Sequence, residues 1–570
     1  MEYLEDGKEA LANSADPTLI EHHGHELSNE RRIVEDDGPS QEHPLKKPLA
    51  FHMSFLALLI MGFICALDAT VLGVAIPSIA YELHGTSLEG FWASISFILA
   101  VVIVQPIHTS VSNVFGRLLP LYASFVLFMI GSIVFAVAQD MTVLIVGRVL
   151  QGLGAGGLDV LNEIILADIT TLKERPMYLG IFAIPMLGGT VLGPVTGGLF
   201  AEYASWRWIG WINLPISTIG LALAILFLRL KPLEQPLSQK LRRLDWIGLA
   251  LFTAGCTLFA SPIAWAGAMF PWASYQTLVP LLLGFGLLVV FGLFESKPVE
   301  PAFPYRIFKN RTACMTLAAG FLHGIANYII MLYVPLFLQA VYLHSPLRAA
   351  VLTLPGCFLA IGSAVIGSVV VEVMRTYRAT ILASWVFVAV GAGLLTLLDR
   401  SSSLAAKESF QVVLGLGLGP FWSVLNLPLQ ASMLNVDDMG LATGILVSFR
   451  LFGGLIGLAL SSSIFNTVYT RKIEALGVFP PELAFLGDAR EAVASIHLLR
   501  EIDIPAELLD RVIDAYKISI YGVFWMIAGA GVAGFVISCL IKEISLERED
   551  LGRQQLEGNT KAPDVSTSSR

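Results

Sequence analysis

Ionisable side chains sit inside long apolar runs, among them Asp68 within residues 51–79, and Arg148, Asp159 and Glu163 within residues 141–166. A charge held at the centre of a bilayer costs about 2.5–3.5 kcal/mol on insertion scales, so such residues serve a purpose by default. Burial favours the neutral form of a carboxylic acid, which lets a carboxyl in this setting take up and release a proton near neutrality. Asp68 is the leading proton carrier. An Asp68–Arg148 contact would hold the charged form instead, so coupling through Asp68 requires that contact to switch during a cycle; the alternative is a permanent ion pair fastening two spans together. Asp159 and Glu163 stand four residues apart, on one helical face, where two carboxylates repel. One of them must then carry a proton or meet a cation, unless Glu163 is simply solvated near the mouth of its span.

Further polar side chains lie in runs that lipid would not tolerate facing outward: Gln151, His323, Asn327, Tyr328, Gln339, Asn426 and Gln430, with Arg450 further on. These are candidates for a substrate cavity. His323 has the chemistry to titrate near physiological pH, or it is a packing group; Arg450 fits substrate contact and backbone capping equally well.

The elements that must position these residues follow from hydropathy. Charged residues make up only 14% of the chain and apolar ones 55%, with a mean hydropathy of +0.71. The apolar residues gather in blocks of about twenty, the length that crosses a hydrocarbon core of about 30 Å. Blocks occur at roughly 51–79, 91–112, 119–138, 141–166, 177–201, 208–228, 244–264, 277–295, 312–341, 348–372, 378–398, 407–434, 440–468 and 519–541. An all-α membrane protein with fourteen transmembrane helices is expected. With a cytoplasmic amino terminus, Arg117, Lys173, Arg175, Lys240, Arg242, Arg243, Arg306 and Arg311 fall on short inner loops and only Arg207, Arg348, Arg400 and Lys407 on short outer ones. That bias places both termini in the cytoplasm.

The five cysteines fall in apolar blocks without metal-ligand spacing and read as packing residues. No cofactor or metal is expected, and no enzyme: there is no nucleophile with a base. The pattern Gly152-x-Gly154-x-x-Gly157 matches a dinucleotide fingerprint but lies inside a spanning block, so neither nucleotide nor nucleic acid is an expected partner. The expected partners are the lipid bilayer, protons and a small molecule.

The sequence also repeats. VLQGLGAGGLDVLNEIILADITTLKERPMYLGI, ending at Ile181, resembles VVLGLGLGPFWSVLNLPLQASMLNVDDMGLATGI, ending at Ile445, an offset of 264. Two homologous six-helix halves separated by two inserted spans explain both the offset and the total, and place a substrate site between the halves. The expected organisation is an acidic disordered tail over 1–48, an N-terminal half over 49–230, the insert over 231–300, a C-terminal half over 301–545 with an external loop at 469–518, and a second disordered tail over 546–570.

The fifth span reads GIFAIPMLGGTVLGPVTGG, with Gly180, Gly189, Gly193, Pro194, Gly197 and Gly198. Glycines four apart bare one helix face to a close neighbour, and Pro194 removes a backbone hydrogen bond. This run resembles the antiporter motif of the major facilitator superfamily. LDATVLGVAIPSIA at 67–80, GRVLQGLGAGG at 147–157 and WRWIGWINLP at 206–215 are similar to signatures of its fourteen-span drug:H+ antiporter family, and the likeness covers about residues 51–541. It implies the major facilitator fold and proton-coupled export of drugs, toxins or secondary metabolites, as by fungal multidrug efflux pumps, across the plasma membrane or alternatively the vacuolar membrane.

One departure stands out. The loop after span 2 keeps Gly116 and Arg117 of the family's inner gate but has Thr109, Ser110 and Asn113 where the family carries Gly, a basic residue and Asp. Arg117 is then expected to pair with Asp159 or Glu163, and Asn113 to cap a helix end. A fourteen-span siderophore importer, a vacuolar amino-acid carrier and a transporter-like receptor stay open as other functions for this fold.

Overall fold

The computed structural model describes residues 47–85, 87–231, 244–266, 270–297, 305–477 and 505–548, with isolated positions beyond these. Residues 1–49 and 50–570 form separate units; of the first only 47–49 are described, so the acidic tail lies outside the described residues, as do Lys240, Arg242, Arg243 and most of 478–504 and 549–570.

Fourteen helices among the described residues are long and apolar enough to cross a membrane. They are α1 Leu49–Glu82, α2 Ser87–Phe115, α3 Leu118–Ala136, α4 Met141–Ile169, α5 Arg175–Tyr203, α6 Trp208–Phe227, α7 Trp246–Trp265, α8 Tyr275–Phe294, α9 Arg311–Tyr342, α10 Pro346–Met374, α11 Arg378–Leu395, α12 Leu404–Ser423, α13 Asp437–Glu474 and α14 Ala506–Cys539. A short helix, Asn426–Ala431, continues the line of α12 after a break. The arrangement is two six-helix halves, α1–α6 and α9–α14, with α7 and α8 inserted between them in sequence.

Local chemistry starts several of these helices. Asp140, Asp245, Asn310, Ser345 and Ser403 each accept a backbone N–H of the first turn, from Val143, Gly248, Thr312, Arg348 and Ala406. Asn310, whose sequence context fits a glycosylation acceptor, spends its amide on this cap and on the Ser432 carbonyl. Gly116 closes α2 in the left-handed region at φ 91°, where a side chain would be strained.

Two helices depart from their hydropathy bounds. The sequence ends span 13 near 468 and begins span 14 near 519, whereas α13 runs on to Glu474 and α14 begins at Ala506. Residues 469–474 and 506–518, expected in an external loop, are therefore helical. Arg471, Lys472, Glu507 and Asp510 lower the local hydropathy without interrupting the helix, because backbone hydrogen bonding continues beyond the hydrocarbon region.

Within the first half, α4 packs on α2 and α3, and within the second α9 packs on α13 and α12 on α10 and α11. The glycines of α4 explain its close neighbours: Gly147 and Gly154 abut the backbone of Phe135 and Phe128 in α3, and Gly152 abuts that of Phe97 in α2. The halves meet where α5 packs on α10 and α12, and where α13 packs on α2 and α4. The inserted α7 lies against α2 and α13 on that second seam, through Leu99, Ala260, Ile263, Leu455 and Ala459.

Candidate functional site

The sequence-predicted residues separate into three places. The first is enclosed within the N-terminal half. Arg148 Nη1 donates to Asp68 Oδ2 at 2.8 Å and to Gln151 Oε1 at 3.0 Å, and Nη2 reaches the Asp68 carbonyl. Asn213 of α6 donates to Asp68 Oδ1 at 2.7 Å, and Gln151 and Asn213 both donate to Ser132 Oγ. Arg148 also lies 4.3 Å from the centroid of the Phe97 ring. Asp68 is 0% exposed and Arg148 1%. The carboxylate is fully satisfied by donors from α4 and α6, the arrangement that makes a buried ion pair tolerable. Gln151, expected to line a cavity, belongs to this network. Asn213 was not singled out from the sequence; its signal is an amide in the middle of an apolar block.

The second place lies at the end of the bundle where α1 begins. Arg117 Nε donates to Asp168 Oδ2 at 2.9 Å, both groups buried, and its Nη1 donates to Ser112. This corrects the expected pairing with Asp159 or Glu163: Asp168 lies about one and a half turns beyond Glu163 and about two and a half beyond Asp159, towards the end of α4 where Arg117 sits. Asn113 lies in the last turn of α2, and Arg117, the N-cap residue of α3, makes no side-chain cap of its own. The Arg117 guanidinium reaches Gly440 in the first turn of α13, where a Cβ would come within 2.8 Å of it. Close by, Arg175 is wholly buried; it donates to the Ala167 and Thr170 carbonyls and, across the halves, to Gln430 Oε1 at 3.0 Å. Gln430 is thereby a link between the halves. Arg375 Nη1 donates to the Lys173 carbonyl, and Gly180 abuts Ser368 of α10.

The third place lies deeper along the same seam. Glu163 Oε2 accepts from Asn426 Nδ2 at 3.1 Å, and Glu163 Oε1 faces Arg450 Nη1 at 3.4 Å. One turn along α4, Asp159 accepts from Gln105 of α2 at 2.8 Å. The two carboxylates of the sequence thus receive separate partners. Arg450 lies over the Trp422 ring at 4.6 Å. His323 is fully buried and packs against Phe421 and Trp422, with ring centroids 5.1 and 5.6 Å away. Tyr328 is half-buried within electrostatic range of Asp159 and Arg450. Asn327 donates to Met331 Sδ at 3.8 Å on its own helix, and Gln339 lies three turns further along α9, half-buried and apart from the cluster.

The glycine motif of α5 has a structural role. Gly189, Gly193 and Gly197 face the α1 backbone at Phe63, Leu67 and Val71, and Thr70 Oγ1 donates to the Thr190 carbonyl at 3.1 Å. Pro194 lies inside the helix beside this face, and Gly198 is half-buried next to it. The motif therefore holds α5 against the helix that carries Asp68.

Among known proteins, residues 58–458 match the Major Facilitator Superfamily. The chain is similar to the MFS-type transporter sphD of Aspergillus fumigatus, at 46% identity over 94% of this chain and 92% of that one. It is also similar to the MFS-type efflux pump MMF1 of Pseudozyma antarctica, at 33% identity over 90% of this chain and 94% of the relative. A solved structure of the proton:xylose symporter XylE shares the fold, with a TM-score of 0.56 at 12% identity, covering 87% of this chain and 98% of the other. A fourteen-helix membrane bundle, two six-helix halves joined across a charged seam and relatives of this length together identify the chain as a secondary transporter belonging to the Major Facilitator Superfamily.

Proposed function

We propose that the protein is a proton-coupled exporter in the plasma membrane, with both termini cytoplasmic, that expels a small, largely apolar organic molecule such as a toxin or secondary metabolite by alternating access of its halves. The observation that carries this reading is the position of Glu163: a carboxylate of one half held by Asn426 and Arg450 of the other, with a second carboxylate one turn away. Neutralising Glu163 weakens both ties across the seam, since removing one charge of a buried pair leaves the other uncompensated at a cost of about 3–5 kcal/mol. Proton uptake at Glu163 therefore favours parting of the halves at the cytoplasmic end, where Arg175–Gln430, Arg375 on the Lys173 carbonyl and the approach of Arg117 to Gly440 form the remaining closure. Proton release towards the cytoplasm restores the ties and closes that end. In this scheme Asp159 serves as the neighbouring proton site, and Asp68–Arg148 holds the N-terminal half together while it moves. Relatives named as efflux pumps support the outward direction.

The reading is tested by following retention of a panel of fluorescent drugs in cells that express the protein, with and without a protonophore. Lower retention than in control cells, abolished by the protonophore, is the expected result. Export that persists when the proton gradient is collapsed would overturn proton coupling, and accumulation above control would replace export by import.

A further inference from the structure

Buried polar groups are nearly always hydrogen-bonded, so a concentration of unpaired ones marks a place built for something else to bind. Such a concentration lies around Arg450. Arg450 Nε and Nη2, Trp422 Nε1, Asn426 Oδ1 and both ring nitrogens of His323 are buried without a hydrogen-bond partner among the described residues. Arg450, Asn426 and His323 are each at least 96% buried, and Trp422 is 9% exposed. The contacts given above join these four side chains into one group: Arg450 over Trp422, His323 against Trp422, and Asn426 with Arg450 on the same Glu163 carboxylate.

The chemistry of the unpaired atoms restricts what they can recognise. Arg450 and Trp422 supply only N–H donors there, and His323 in its neutral form adds one donor and one acceptor. Asn426 supplies an acceptor. A ligand that satisfies them presents several acceptor oxygens and a hydroxyl along one edge. Charge narrows the class again. The Arg450 cation already faces Glu163, and Asp159 brings a second carboxylate to the same region, so an anion would meet a site without spare positive charge. A cation would have to displace Arg450 from Glu163. The surrounding surface of Phe421, Trp422 and Tyr328 suits an apolar body.

We infer that Arg450, Trp422, His323 and Asn426 form the recognition site for an uncharged, largely apolar substrate bearing carbonyl and hydroxyl oxygens on one edge. The inference rests on the export reading for its physiological meaning, but binding to the site is measurable without transport.

The test uses the full-length protein in lipid nanodiscs and four fluorescent probes: Nile red, which is uncharged with a carbonyl acceptor; diphenylhexatriene, a hydrocarbon; rhodamine 6G, a cation; and anilinonaphthalene sulfonate, an anion. Saturable binding is read as the protein-dependent signal above that of empty nanodiscs. Trp422→Phe keeps an aromatic ring under Arg450 while removing one donor, and is expected to weaken Nile red binding about tenfold. His323→Phe is expected to weaken it as well, and an unchanged melting temperature would show that each variant folds. Diphenylhexatriene binding as tight as that of Nile red, or Nile red affinity unmoved in both folded variants, would overturn the inference. Preferential binding of rhodamine 6G or of the sulfonate would overturn the uncharged class while leaving export intact. Nile red binding that depends on Trp422, in a protein that exports nothing from cells, would uphold the site and sink the export reading instead.

Discussion

Asp68 illustrates how much a single buried charge depends on its partners. Its carboxylate takes donors from Arg148, Asn213 and Gln151 and is closed to solvent. Asp68→Asn preserves the shape but leaves Arg148 buried without a counter-charge, and is expected to destabilise the protein by about 3–5 kcal/mol. Adding Arg148→Gln should recover much of that loss, because an amide pair needs no counter-charge. Thermal unfolding in detergent measures both variants, and a single variant as stable as the wild type would show that the pair is not structural. The Asp68–Arg148 contact was legible in sequence because two opposite charges in lipid have few other ways to be satisfied. Asp168, Asn213 and Gln105 were not, since each is one of several polar groups its distant partner could have met and only the packing of helices decides which of them do. Arg175 was read as an ordinary loop cation for the same reason; nothing local announces that it is buried against Gln430.

At the scale of the element, hydropathy located all fourteen helices, because a membrane leaves a segment of twenty apolar residues almost no other structure. It misjudged the ends of α13 and α14, where charge marks the edge of the hydrocarbon rather than the end of the helix. The glycine motif was legible as a bare face, but its partner, α1, was not. At Gly197 a Cβ would come 2.0 Å from the Val71 carbonyl oxygen, whereas at Gly188 nothing lies within 4 Å. Gly197→Ala should therefore destabilise by about 1–3 kcal/mol or misplace α5, and Gly188→Ala should be tolerated, as read by melting temperature and chromatographic profile. Equal behaviour of the two variants would contradict the α1–α5 contact. Helix ends away from the seam are tied by ion pairs in the same way. Arg207 and Trp206 donate to Glu82, just beyond the apolar span of α1, and Lys517 donates to Asp399 between α11 and α12. The hydrogen bonds from Arg207 and Lys517 hold these two carboxyls below the ordinary carboxylate range. With lowered values in the folded state, their contribution is whole above the ordinary range near pH 4 and disappears as pH falls through the depressed values. Melting temperature should accordingly be insensitive to these groups between pH 7 and about 5, with an acid decline below about 4 that is reduced in a Glu82→Gln, Asp399→Asn variant. A decline of the same size in that variant would assign acid loss to other groups.

For the molecule as a whole, the two halves are joined by Glu163 with Asn426 and Arg450, by Arg175 with Gln430, and by close approaches of Arg117 to Gly440 and Gly180 to Ser368. All but the first are reinforcement at one end of the bundle. Among the described residues, only the Glu163 group combines a carboxyl, a cation from the opposite half and unpaired donors in one place, the feature on which the proposed joint action of proton and substrate rests. The inserted α7 covers the α2–α13 seam.

The most direct measurement is therefore made on the purified protein in proteoliposomes loaded with an exported fluorescent compound, comparing wild type with Glu163→Gln. The amide keeps one acceptor oxygen, enough for Asn426 or Arg450 but not for both, and cannot cycle a proton. The wild type is predicted to move the compound against its gradient when a pH gradient is imposed, with proton movement in the opposite direction. Glu163→Gln is predicted to equilibrate the compound across the membrane without responding to that gradient. A Glu163→Gln protein that still concentrates the compound on demand of the pH gradient would contradict the account.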